Sequence, residues 1–189
     1  MIGSEMDGQQ ADRTRRVIEM IAKTAQYMNA VIICGGINTG VMAEIGRIRG
    51  QKRYKFPLVG IVPEQLVTWP SGPHSKNFLW WGNKRWRLES HYSHFILVSG
   101  SQFGDESPSI NSAATLLSNG HQSVTILISG GEVARKDIQL SLENGRQVIE
   151  RGKSCTGEIK VVGESKLTKS QSLYDFSRPV SLITHKNSL

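Results

Sequence analysis

The chain has 189 residues, of which 38% are hydrophobic and 21% charged, and its formal net charge is +7. This length is enough for one domain with a sizeable core, and the composition excludes an intrinsically disordered protein. No apolar run approaches the roughly 20 residues that span a membrane, and the polar N-terminus has no secretory signal. The two cysteines lie far apart, so we expect no disulfide framework and a cytoplasmic protein. The positive charge attracts anions, although a solvated basic surface explains it equally well.

Hydrophobic periodicity predicts helices and strands that alternate along the chain. In chain order, the predicted elements are helix 12–28, strand 30–34, a helix from Thr39, strand 56–62, an irregular insertion 65–88, strand 93–98, helix 108–118, strand 123–128, helix 132–142, strand 147–149 and strand 158–163. We expect residues 1–165 to form the domain and residues 166–189 to form a loosely ordered tail.

This alternation predicts an α/β, Rossmann-like domain of three layers, in which a mostly parallel sheet lies between helices. The nearly continuous apolar strands support a parallel sheet, because parallel strands are buried on both faces. Such a domain normally begins with a strand, whereas this chain begins almost directly with a helix. Our hypothesis is that the first strand is missing or truncated and that residues 1–4 are its remnant.

A glycine turn after the first predicted strand is the most informative segment. Its candidate ligand-binding residues are Gly35, Gly36, Asn38, Thr39, Gly40 and Val41. The glycines let the backbone approach a ligand closely, and we expect Gly35, Gly36, Thr39 and Gly40 to hold a phosphate group through their N–H groups. The first N–H groups of the following helix have no intrahelical partner, and together with the helix dipole they favour a phosphate group. The turn is not a P-loop, because Val41 rather than lysine follows Gly40, and it lacks the G-x-G-x-x-G pattern. An ordinary connecting turn with Asn38 or Thr39 as N-cap is the alternative. We expect Gly36→Val to block phosphate binding while the fold survives.

Two further polar turns follow predicted strands. Because parallel strands place their carboxyl ends at one edge of a sheet, we expect all three turns to line one cleft. The additional candidate ligand-binding residues are Ser99, Gly100, Gly104, Asp105, Glu106, Gly130, Gly131 and Glu132. The paired carboxylates of Asp105 and Glu106 would hold ribose hydroxyls or, less readily, a metal ion, but capping of the next helix explains them equally well. Complementation of the helix dipole is the alternative for Glu132.

Several segments in order resemble one known family. Residues 35–42, G-G-I-N-T-G-V-M, resemble the GGT-x-TGVM signature of the SLOG superfamily, in the branch found in TRPM channels and their prokaryotic relatives. The resemblance runs from about residue 12 to about residue 159 and includes segments 56–63, 91–98, 104–108 and 123–132. It implies a Rossmann-like domain that senses a nucleotide or an NAD-derived ligand such as ADP-ribose. No further cofactor and no metal ion are expected.

The family also has enzymatic relatives, the LOG-type phosphoribohydrolases, which release a base from a nucleoside monophosphate. Their second motif is P-G-G-x-G-T-x-x-E, and residues 129–137 of this chain read S-G-G-E-V-A-R-K-D. Val133 and Ala134 replace the Gly-Thr pair, and Asp137 is shorter than the terminal glutamate. Because a small retreat of a catalytic acid is costly, we favour binding over hydrolysis and keep Asp137 as the catalytic candidate of the alternative.

The resemblance implies a small-molecule partner, and it leaves open a homo-oligomer and an effector or membrane module on another chain. Aromatic residues at 78–81 and Trp86, beside the basic residues of 84–87, would stack on a nucleobase, form a dimer contact or cover the sheet edge. This cluster also keeps a nucleic-acid-binding or scaffold protein as a third alternative, but without an RNA-binding or zinc pattern nucleic acid is disfavoured. We expect His91 and His94 to be structural.

Overall fold

The computed structural model describes residues 8–68, 85–128, 130–151 and 159–161. The expected strand remnant at 1–4, the aromatic segment 78–81 and the tail 166–189, with its boundary at 165, lie outside the described residues.

The described residues follow the predicted alternation of helices and strands. The helices are α1 (Gly8–Met28), α2 (Gly40–Gln51), α3 (Ser107–Ser118) and α4 (Glu132–Glu143). The strands are β1 (Ile32–Cys34), β2 (Leu58–Pro63), β3 (Val67–Thr68), β4 (Trp86–Arg87), β5 (His94–Val98), β6 (Val124–Leu127), β7 (Gln147–Arg151) and β8 (Ile159–Val161). The insertion differs from the expectation, because its two ends form β3 and β4 rather than irregular chain.

Most of the strand pairs are parallel. One sheet has the order β1-β2-β5, with Ile32 opposite Leu58 and Val59 opposite His94. A second has the order β6-β7-β8, in which β6 and β7 are parallel and β8 is antiparallel. β3 and β4 form a separate parallel pair. The carboxyl ends of β1, β2 and β5 therefore lie at one edge, where α/β proteins bind their ligands.

Helices cover both faces of the first sheet. All six residues of the central strand β2 are buried. Leu58 packs with buried residues of α1 and α2, whereas Val59 packs with residues of α3. These neighbours differ because successive side chains of a strand point to opposite faces. The structure therefore confirms the predicted three-layer α/β fold with a mostly parallel sheet.

α1 buries a stripe of small and aliphatic side chains on the sheet. Ile18, Ala22 and Ala25 are each no more than 4% exposed, and their spacing of four and three residues places them on one face of the helix. The helix begins at Gly8, earlier than the predicted start at residue 12. Among the described helices, α1 included, none is both long and apolar enough to cross a bilayer.

α2 is fixed on the chain segment that leads into β5. Two glycines on one face of the helix permit this contact, since a Cβ on Gly46 would overlap the Glu89 carboxylate and a Cβ on Gly50 would overlap the His91 ring. Glu89 Oε1 and His91 Nδ1 lie 2.7 Å apart, and Arg49 Nη1 donates to the His91 carbonyl at 2.7 Å. His91 thus has a structural pairing that helps to position α2.

Candidate functional site

The first predicted turn joins β1 to α2 at the carboxyl edge of the sheet. Gly36 has a φ of +71° and Gly40 a φ of +54°, and both values favour glycine. Thr39 is the N-cap residue with extended backbone, but its side chain makes no capping hydrogen bond. The first turn of α2 also has no acidic side chain. The positive end of this helix is therefore not neutralised by its own residues.

Some backbone N–H groups of this turn are already hydrogen-bonded within the protein. The N–H of Asn38 donates to the Arg87 carbonyl at 2.8 Å, and the N–H of Thr39 donates to the Ile37 carbonyl at 2.8 Å. These two donors shape the turn and are not available to a phosphate group, which contradicts the expectation that Thr39 holds phosphate through its N–H group.

The N–H groups that lie ahead of the helical ladder belong to the next three residues. The first intrahelical bond of α2 runs from the N–H of Ala43 to the carbonyl of Thr39 at 3.2 Å. The N–H groups of Gly40, Val41 and Met42 therefore have no carbonyl in the preceding turn. Among the described residues, a Cβ on Gly40 would meet nothing within 4 Å, so they leave space at this position of the helix start.

Gly36 is needed for packing. A Cβ on this residue would lie 2.8 Å from Gly60 Cα and 2.8 Å from Phe95 Cε1. Gly60 belongs to the buried strand β2, whose backbone cannot move without disturbing the sheet. The geometry contradicts the expectation that Gly36→Val leaves the fold intact.

β4 and the two residues after it hold the turn from the other side. Besides the bond from Asn38 to Arg87, the N–H of Glu89 donates to the Gly36 carbonyl at 2.9 Å, and Ile37 forms an isolated antiparallel bridge with Leu88. Ile37 and Leu88 are both buried. The sequence contained no signal for this contact, because the paired residues are far apart and too few to show periodicity.

The second turn is organised by its own carboxylates. Asp105 Oδ2 accepts hydrogen bonds from the N–H groups of Ser101 at 2.9 Å and Gln102 at 3.1 Å. Glu106 Oε2 accepts from the N–H of Gly104 at 2.8 Å and makes no capping bond to α3. These two carboxylates therefore stabilise the turn itself. Within the described part of the chain, no group of three metal-binding side chains is present.

α4 packs against this second turn. Lys136 Nζ donates to the Gly104 carbonyl at 2.7 Å. Burial raises the pKa of Glu106 despite two backbone hydrogen bonds that lower it, and the charge of Asp137 raises it further. Burial also raises the pKa of Asp137, opposed by the Ser107 hydroxyl and by Lys136. Ser107 Oγ and Asp137 Oδ1 are buried without a hydrogen bond of standard geometry. The structure thus adds Glu106 to Asp137 as a neighbouring acid, which sequence spacing did not indicate.

The third predicted turn begins α4. Gly131 is the N-cap residue, and its carbonyl accepts from the N–H of Arg135 at 3.2 Å. A Cβ on Gly130 would overlap the Cβ of Ala134, so this glycine is needed for the tight start of the helix. Glu132 lies in the first turn, where its charge complements the helix dipole. Ser129 lies outside the described residues, and the role of this turn as a wall of the cleft stays a prediction.

Two aromatic rings connect the first and second turns. The ring centroids of Trp86 and Phe103 are 5.8 Å apart, with an edge-to-face angle of 68°. Trp86 also packs against the cluster that contains Ile37 and that Met42 joins. Phe103 is 38% exposed. The sequence pointed to Trp86 but not to Phe103, because the two meet only through the fold. Contacts therefore extend from the start of α2, through β4 and the second turn, to α4.

A Rossmann-like domain with an uncapped helix start behind a glycine turn belongs to the class of α/β proteins that have a ligand site at the carboxyl edge of the sheet. A family model described as "SLOG in TRPM, prokaryote" matches residues 1–168, and the chain belongs to this family. This match confirms the resemblance seen in the sequence.

Two solved structures are similar to this protein. The molybdenum cofactor binding protein of the phototrophic bacterium Rippkaea orientalis is 17% identical, with a TM-score of 0.50 over 79% of this chain and 71% of that chain. The molybdenum cofactor carrier protein of Chlamydomonas reinhardtii is 13% identical, with a TM-score of 0.46 over 74% of this chain and 66% of that chain. Comparison with curated proteins gave no match. The first likeness supports the Rossmann-like fold.

Proposed function

We propose that this protein binds a nucleotide-derived ligand, ADP-ribose or an NAD-related molecule, and acts as its sensor. One observation carries the proposal: the N–H groups of Gly40, Val41 and Met42 precede the helical ladder, and the described residues leave space for a Cβ on Gly40. Thr39 makes no side-chain capping bond, and the first turn of α2 has no acidic residue. An anionic group such as phosphate suits this position, because the N–H groups and the helix dipole both favour negative charge.

Family membership and net charge support this proposal independently of the turn. The chain belongs to the SLOG family, and its resemblance to that family implied a nucleotide or NAD-derived ligand. The net charge of +7 favours encounters with anionic molecules. The response to the ligand would pass to a second copy or to an effector on another chain, and both partners are part of the proposal.

Thr39→Asp tests the anion site without enlarging the turn. The introduced carboxylate would accept hydrogen bonds at the start of α2, which stabilises a helix, and would repel a phosphate group. We expect ADP-ribose to bind about 5- to 30-fold more weakly, since the lost charge interaction is about 1–2 kcal/mol. Isothermal titration calorimetry measures the affinity, and thermal unfolding shows that the variant is folded.

Thr39→Asn is the matched control, because asparagine caps the helix without a charge. A smaller loss of affinity in Thr39→Asn than in Thr39→Asp supports an anion at the helix start. Unchanged affinity in a folded Thr39→Asp protein would reject this site. Failure of the wild-type protein to bind ADP-ribose, NAD or AMP would reject the nucleotide ligand altogether.

The neighbouring acids favour one alternative function, a LOG-type phosphoribohydrolase. The pKa values of Glu106 and Asp137 are both raised, chiefly by burial, and a raised pKa makes a carboxyl group better suited to general acid–base catalysis. This alternative predicts that the protein releases adenine from AMP and that Asp137→Asn abolishes the release. Chromatography of the reaction mixture detects the base, with Glu143→Gln as a control at an exposed position of the same helix. If AMP binds but wild-type protein releases no base, hydrolysis is excluded.

A further inference from the structure

Phe103 presents an exposed aromatic surface on a turn whose backbone is held in place. The residue is 38% exposed, although large apolar side chains are usually buried. Asp105 binds the N–H groups of two residues that flank Phe103 on its N-terminal side, Ser101 and Gln102, at 2.9 and 3.1 Å. Because these bonds fix the turn, Phe103 has a defined position without being part of the core.

Trp86 supports Phe103 and leaves part of its ring uncovered. The two rings meet at 68° with their centroids 5.8 Å apart. In an edge-to-face pair, one ring presents its edge, so Trp86 covers at most one face of Phe103. At least one flat face of Phe103 is therefore not in contact with Trp86.

The aromatic pair lies beside the proposed anion site. Trp86 packs with the cluster that includes Ile37 and is joined by Met42, a residue of the first turn of α2. The residue after Trp86, Arg87, accepts the N–H of Asn38 through its carbonyl at 2.8 Å. The side chains of Arg85 and Arg87 are exposed on either side of Trp86 in the sequence. An apolar ring next to cationic side chains and a helix start suits a ligand that is both anionic and aromatic.

We propose that Phe103, braced by Trp86, stacks against the base of the ligand whose phosphate group lies at the start of α2. This inference rests on the proposed function and extends it. Backbone N–H groups recognise a phosphate group, but they do not distinguish a nucleotide from a phosphate that has no base. Stacking on an aromatic side chain accepts any base, since every base has a flat π-face. The site therefore selects nucleotides over sugar phosphates by the presence of a base.

Calorimetry with ADP-ribose and with ribose 5-phosphate separates the two parts of the site, because the second probe has no base. We expect Phe103→Ala to weaken ADP-ribose binding at least about fivefold and to leave ribose 5-phosphate binding within about twofold. Phe103→Tyr retains a flat ring and should bind ADP-ribose as tightly as the wild-type protein. Leu116→Ala, which changes an exposed apolar residue of α3 outside the proposed site, should alter neither affinity.

The outcomes distinguish the stacking inference from the proposed function. If both probes bind and Phe103→Ala leaves the affinity for ADP-ribose unchanged, only the stacking inference is overturned. Equal losses for both probes would assign Phe103 a structural role and also overturn it. If wild-type protein binds neither probe, the proposed function fails together with this inference.

Discussion

Gly36→Ala tests how closely the binding turn packs against the sheet, and the structure provides two separate costs. The backbone cost comes from a φ of +71°, because left-handed backbone costs a residue with a Cβ about 1–2 kcal/mol. The packing cost comes from a Cβ at 2.8 Å from both Gly60 Cα and Phe95 Cε1. Overpacking of this kind costs about 1–3 kcal/mol. The total of about 2–5 kcal/mol is a large part of the roughly 5–15 kcal/mol that stabilises a domain.

Urea denaturation followed by circular dichroism measures this loss, with Gly120→Ala as the matched control. Gly120 has a φ of +84°, but a Cβ there would meet none of the described residues within 4 Å, so the control has only the backbone cost. We expect Gly36→Ala to be less stable than Gly120→Ala by about 1–3 kcal/mol. Equal losses in the two variants would refute the conclusion that Gly36 is required by contact with β2.

Three further predictions concern groups outside this turn. Arg146 is 6% exposed and donates to Ser123 Oγ at 3.0 Å and to Thr115 Oγ1 at 2.8 Å. Arg146→Lys should therefore lower the free energy of unfolding in urea by about 2 kcal/mol. The control Arg135→Lys, at an exposed position, should change it by no more than about 0.5 kcal/mol. Because the pKa values of Glu106 and Asp137 are raised, the folded state binds more protons than the unfolded state. The stabilising contribution of the two groups is therefore present below about pH 4 and is lost as the pH rises through their raised pKa values. The double variant Glu106→Gln, Asp137→Asn should flatten that part of the stability–pH curve, and an unchanged curve would contradict the assignment. Burial raises the pKa of the Cys34 thiol, so mass spectrometry should find it alkylated more slowly by iodoacetamide in the folded than in the urea-unfolded protein, and equal rates would argue against its burial.

The predicted elements agree with the structure where local patterning is strong. The amphipathic spacing over 12–28 corresponds to α1, and the apolar run at 56–62 corresponds to β2 (Leu58–Pro63). The ends of the insertion were not predicted, because β3 and β4 have two residues each and cannot show a period of two. These strands pair only because the chain brings positions 67–68 and 86–87 together.

The candidate site divides in the same way between local and long-range information. The glycine turn and the helix after it were readable from residues 35–42, because glycine positions and hydrophobic spacing act over a few residues. The family was readable from this turn together with the later segments that resemble it. Which N–H groups remain available was not readable, since the partner of Asn38 is the carbonyl of Arg87 in a distant strand.

The sequence by itself therefore determined the α/β alternation, the family and the three turns that follow β1, β5 and β6. Only the tertiary structure decided that Gly36 is a packing residue, that Asp105 binds its own turn and that the charge of Asp137 acts on Glu106. The physical reason is that local conformation depends on neighbours along the chain. The availability of a donor, the burial of a carboxylate and the support of an aromatic ring depend on segments that meet only after folding.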